Sequence, residues 1–135
     1  MKKRIGIFET NSSSSHSIVV SLKEKIDFEP VKTTEDLIHI HQGEFGWGQD
    51  TLHSWVEKCS YAYTYASNYG RNKDLVLLKK VVEDFTEKKV VFHENDGYID
   101  HQSIEIAEEM FENYDTLKKV LFGVGSYIII SNDNM

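Results

Sequence analysis

One stretch near the N-terminus, Glu9-Thr10-Asn11-Ser12-Ser13-Ser14-Ser15-His16-Ser17, constrains this chain more than any other. It separates two short apolar runs, residues 5–8 and 18–20. Small hydroxyl and amide side chains fill no core, and in a helix they compete for nearby backbone groups. The flanking runs are too short for helices and rich in β-branched or aromatic residues, so 4–8 and 17–21 read as strands. A two-residue turn would join two such strands more economically. The longer connection instead concentrates hydroxyls, an amide, an imidazole and the N–H groups of small residues, which can converge on a phosphate or another anion. A flexible serine-rich connection is the plainer alternative.

The rest of the chain supplies helices and further strands. Residues 22–34 are charged and hold the only proline, with an extended piece expected around Ile26 and Phe28 and a turn at 33–36. Residues 37–41 read as a strand. Leu52, Trp55, Val56, Cys59, Ala62 and Ala66 recur at helical spacing, predicting a helix over 51–67 capped by Asp50. A second helix is expected from an Asp74 cap to about residue 88, with Leu75, Leu78, Val82 and Phe85 on one face. A strand at 89–93 and a turn at Asn95-Asp96-Gly97 follow. Residues 104–111 and 116–122 read as two short helices, the first capped by Ser103 and the second starting at Asp115 and ended by a left-handed Gly123. Residues 126–131 carry Ile128-Ile129-Ile130 and read as a central strand with apolar residues on both faces. Strands at both ends with a helical middle predict an α+β fold in one domain, 1–135. A small mixed or antiparallel sheet would include the N- and C-terminal strands as possible neighbours, packed by two longer and two short helices.

A formal net charge of −7 argues against binding duplex nucleic acid, which demands a basic face. No apolar run is long enough to span a membrane, and the single Cys59 fits a core position in a reducing, cytoplasmic compartment.

Four polar constellations carry the candidate chemistry. The first is Asn11, Ser12, Ser13, Ser14, Ser15 and His16. The second is the 43–48 segment, where Glu44, Phe45 and Trp47 alternate with three glycines; the aromatics suit stacking on a base. The third contains Asp100 and His101, which as neighbours on a strand would face opposite ways. The fourth is Asn132 and Asp133. A serine hydrolase has little support, because no Gly-x-Ser-x-Gly elbow is present. His39 and His41, two apart on a strand, form a workable metal-ligand pair, which His93, Asp96, Asp100 or His101 would join only through the fold. No established ligand motif is present, so no metal and no cofactor are expected.

Together the 8–17, 43–48, 98–103 and 131–133 segments resemble a group of small uncharacterised proteins of bacteriophages and prophages. The resemblance implies a phage-type accessory protein of the host bacterial cytoplasm, and it supplies no activity. The leading expectation is a small anionic ligand, a nucleotide above all. Asn11 to Ser15 would donate to phosphate, His16 would pair with the anion, and Trp47 or Phe45 would stack on the base. Asp100, His101, Asn132 and Asp133 would read polar edges. Two alternatives compete. One is an acidic interaction module that covers a host or defence protein through Glu105, Glu108, Glu109 and Glu112. The other is a small hydrolase or transferase using His16 or the Asp100/His101 pair.

Overall fold

The structure, a computed structural model, describes residues 2–8, 14–21, 27–31, 33–45, 50–99 and 104–132. Its element order is β1 (Lys2–Phe8), β2 (Ser14–Ser21), β3 (Leu37–His41), β4 (Glu44–Phe45), β5 (Asp50–Leu52), α1 (Trp55–Asn68), α2 (Asn72–Thr86), β6 (Lys89–His93), β7 (Tyr98–Ile99), α3 (Ile104–Met110), α4 (Tyr114–Phe122) and β8 (Tyr127–Asn132). The α+β expectation holds, with two longer and two shorter helices and an antiparallel sheet that includes the N- and C-terminal strands.

That sheet has the order β1-β2-β8-β5. β1 and β2 form a hairpin, from Lys2 opposite Ser21 to Phe8 opposite His16. β8 then pairs with β2, from Ser14 opposite Asn132 to Val19 opposite Tyr127. The first and last strands are therefore not neighbours, since β2 lies between them. β8 is central as expected, flanked by β2 and β5. Ile128 and Ile130 are buried, while Ile129 on the other face is half-buried.

The described residues also form two parallel strand pairs. β3 runs beside β6, with Leu37 opposite Lys89 and His41 opposite His93. A few residues further on, β4 runs beside β7, with Glu44 opposite Tyr98. The second pair continues the first across a short break at Gln42-Gly43 and 94–97.

α1 holds the molecule together. It packs against α2, α3, α4, β3 and β7. A helix with so many neighbours is buried nearly all round. Lys58, Cys59 and all six residues of 61–66 are buried, which a single apolar stripe did not predict. Val56, placed on that stripe by spacing, is instead 55% exposed. Aromatic side chains mortar the layers: Tyr63 stacks on Phe92 of β6 at 4.4 Å, and Phe85 of α2 stacks on Phe122 of α4 at 4.1 Å.

Several helix ends differ from expectation for one reason: the capping side chain lies elsewhere. Asp50–Leu52 is a strand, and α1 begins after Ser54, whose hydroxyl accepts from the Glu57 N–H and donates to the Glu57 carboxylate. Ser54 is therefore a side-chain N-cap, and its hydroxyl also holds the Glu57 carboxylate over the first turn. Asp74 lies inside the first turn of α2, where its carboxylate accepts from the Arg71 N–H. α4 starts two residues before the expected 116 because the Asn113 side chain caps it, accepting from the Thr116 N–H at 2.8 Å. Gly123 has φ −69 and is not left-handed; its role is close approach, since a Cβ there would meet the Lys119 carbonyl oxygen at 2.4 Å. Among the described residues the left-handed glycine is Gly125, at φ 85. Phe28 forms only an isolated bridge to Gly123; Ile26 and the Ser103 cap lie outside the described residues.

Candidate functional site

Strand order and register decide which of the polar segments meet. β1 ends at Phe8 and β2 begins at Ser14, beside Asn132 at the end of β8. β5 begins at Asp50, opposite Ile130, two residues before Asn132. The segments that join Phe8 to Ser14, lead into Asp50 and follow Asn132 therefore all attach at one end of the four-stranded sheet.

Of the candidate residues, Ser14, Ser15 and His16 are not loop residues: β2 starts three residues earlier than expected. Their backbones pair with Asn132, Ser131 and Ile130. An available partner strand explains the difference, because backbone groups that would otherwise face water in a loop are satisfied by the ladder. Asn132, expected in a polar tail, is the last residue of β8. Asn11, Ser12, Ser13, Trp47, Asp100, His101 and Asp133 lie outside the described residues. Glu44 is exposed and sits on β4, paired with Tyr98, on the second parallel strand pair rather than in the four-stranded sheet. Asp100 and His101 follow β7 and precede α3, which packs on β1 and β2.

A second cluster forms on the parallel strand pair. His39 and His41 share a face of β3, and the register sets His93 directly across from His41. His39 Nδ1 lies 2.7 Å from His93 Nε2, a hydrogen bond in which one ring donates and the other accepts. The His41 and His93 rings stack at 4.5 Å, tilted by 14°. His39 and His41 are exposed and His93 is half-buried. Burial, followed by the nearby His41 and His39 rings, holds the His93 imidazole below its ordinary pKa.

Beside this cluster, Gln42 ties the two strand pairs together. Its Oε1 accepts from the N–H groups of Asn95 and Gly97, at 3.0 and 3.2 Å. Its Nε2 donates to Ser67 Oγ and Asn68 Oδ1 on α1, at 2.7 and 3.3 Å. Asn95 answers with its own amide, accepting from the Gln42 N–H and donating to the Gln42 carbonyl. This latch was not foreseen; its one local signal was the Asn95-Asp96-Gly97 turn, where Asp96 has φ 56.

A groove of about 640 Å³ opens between the end of α1, the start of α2 and the end of α3. Tyr65, Tyr69 and Phe111 form its apolar part, and Asp74, Glu108, Glu109 and Glu112 outnumber Arg71 and Lys73 in its lining. Burial, then Asp74 and Glu108, push the Tyr65 phenol up to about 12. The excess of carboxylates disfavours an anion in the groove.

Among the described residues, no helix is long and apolar enough to cross a membrane. No family model matches the chain, and neither a curated protein nor a solved structure matches it.

Proposed function

We propose that this chain is a phage-type accessory protein that binds a small anionic ligand, a nucleotide above all, at the end of the four-stranded sheet from which the serine-rich segment issues. The observation that supports this reading is the register of β2, β8 and β5. It attaches three of the four polar segments to one sheet end. Loops carried on paired strands are held by a rigid scaffold, the arrangement from which binding residues commonly project. Ser12, Ser13 and neighbouring N–H groups would take the phosphate, and Trp47, in the segment that leads into β5, would stack on the base. Asn132 and Asp133 would complete the polar edge. The third segment, with Asp100 and His101, would join the site by reaching the same sheet end.

A nucleotide panel that includes cyclic nucleotides, screened by thermal shift in the presence of EDTA, tests the proposal. The expected result is a saturable rise in melting temperature, as ligand binding to the folded state requires. Ser12→Ala with Ser13→Ala, and Trp47→Ala, should each abolish it. A flat response across the panel would overturn the nucleotide reading. A stoichiometric, salt-sensitive protein partner captured through Glu108, Glu109 and Glu112 would replace it with the acidic interaction module.

A further inference from the structure

We infer that His39, His41 and His93 form a binding site for a late first-row divalent cation of the Zn²⁺ or Cu²⁺ type, separate from the sheet-end site. Imidazole is a borderline ligand that suits these ions, and three ring ligands leave a coordination position open to solvent or substrate.

The fold creates this cluster. β3 contributes two rings on one face because strand side chains alternate with period two. β6, which follows α1 and α2 in the chain, returns parallel to β3 in the one register that sets His93 beside them. His39 Nδ1 and His93 Nε2 already approach to 2.7 Å. With bonds of roughly 2.0 to 2.1 Å, two ligands on a tetrahedral zinc ion lie about 3.3 Å apart. As they stand, no three His, Cys, Asp or Glu side chains among the described residues form a ready cage. The rings must part by about half an ångström to admit an ion between them, given those bond lengths. His41 must leave its stack on His93 to become the third ligand. Both β3 rings are exposed, so rotation about their side-chain bonds displaces no packed core.

Proton bookkeeping also allows the exchange. One of the two apposed nitrogens carries a hydrogen and the other presents its lone pair. The donor ring becomes a ligand by tautomerising: its proton leaves to solvent and another is taken up on the distal nitrogen, with no net charge change. The cation therefore takes the place of the hydrogen bond between the two rings.

The backbone beneath the rings is firmly held. The His41 carbonyl accepts from Ser60 Oγ of α1 at 2.6 Å, and the His93 carbonyl accepts from the Gln42 N–H at 3.3 Å. Ligands on braced strands are held more accurately than ligands on loops. The net charge of −7 also attracts a cation to the chain at long range.

The test uses the full chain, stripped of metal with a chelator and dialysed, then titrated with Zn²⁺ and separately with Cu²⁺ by calorimetry. One ion per chain is expected. His39→Asn and His93→Asn should each weaken binding by on the order of 10-fold or more, with a smaller loss for His41→Asn. His53→Asn, whose ring lies against Tyr127 instead, should leave the affinity unchanged. In the wild-type protein, nitrogen spectra of the imidazoles should show the His39 and His93 ring signals moving on Zn²⁺ addition, a readout independent of any variant's folding. Absence of a saturable site would overturn the proposal, as would ring signals of His39 and His93 that stay fixed while Zn²⁺ binds. The EDTA in the nucleotide screen keeps the two sites' outcomes distinct.

Discussion

Gln42 shows how one side chain can decide whether two pairs of strands behave as a unit. All four hydrogen-bonding positions of its amide are used, in a place that is almost fully buried. Gln42→Leu keeps most of the volume but strands the N–H groups of Asn95 and Gly97. A loss of roughly 3 kcal/mol in unfolding free energy is expected, from about 1–3 kcal/mol per buried unsatisfied group. Gly97 is fixed by the same contact, because a Cβ there would stand 2.5 Å from the Gln42 Cβ and 2.6 Å from the Gly43 carbonyl oxygen. Backbone cannot yield as a flexible side chain can, so Gly97→Ala should cost about 2 kcal/mol in urea denaturation. Neither role was legible beforehand. A buried glutamine on an irregular break carries no periodic signal, whereas His39 and His41 were legible as a pair because strand alternation alone relates them.

At the scale of elements, most strands and all four helices were legible from spacing, because apolar periodicity reports the face that meets the core. Their ends were less so, because several candidate caps compete locally and only tertiary packing selects one. Asp50 had the right chemistry for a cap, but β8 offered its backbone a strand partner, and Ser54 took over the start of α1. Ser54→Ala and Asn113→Ala should each lower stability by about 1 kcal/mol, the usual cost of losing a side-chain cap. Asp115→Ala, in the first turn of α4 but not at its cap, should cost only about 0.3–1 kcal/mol through the helix dipole. Urea midpoints of the three variants, at constant denaturant slope, check this ordering. The candidate site follows the same division. Its chemistry was visible as four polar segments, but their attachment depended on the β2–β8 register, which no local pattern encodes.

For the molecule as a whole, the notable charge is Lys58, fully buried on α1, with its ammonium donating to the Ser126 carbonyl at 2.9 Å. Burial pulls its pKa down to about 8 from 10.5, against a smaller opposing pull from Glu29. The folded state therefore releases this proton first. Between about pH 8 and 10.5 the unfolded chain binds more protons, and stability rises with pH. Cys59 and Tyr65 act in the opposite sense. Burial pushes both up to about 12, from 9.0 and 10.0, so the unfolded chain ionises first and stability falls as pH climbs above those ordinary values. The sum is a rise from pH 8 to 9, a plateau to about 10 and a decline beyond. Each unbalanced proton contributes a slope of up to about 1.4 kcal/mol per pH unit. Urea unfolding from pH 7 to 11 should trace this shape, and Lys58→Met should remove the rise while leaving the decline.

The position of β8 also bears on how the chain reaches its fold. β2 finds its second partner only when residues 127–132 have been synthesised and have left the ribosome, after every helix is already available to form. Until then the β1–β2 hairpin carries a bare edge, and β5 waits with no partner in its own sheet. Pairing ends so far apart in sequence is entropically costly and slow compared with local contacts. During synthesis the exposed backbone of β2 is open to strands of other chains. The serine-rich start of that strand, with its small polar side chains, gives such unwanted partners little apolar surface to hold.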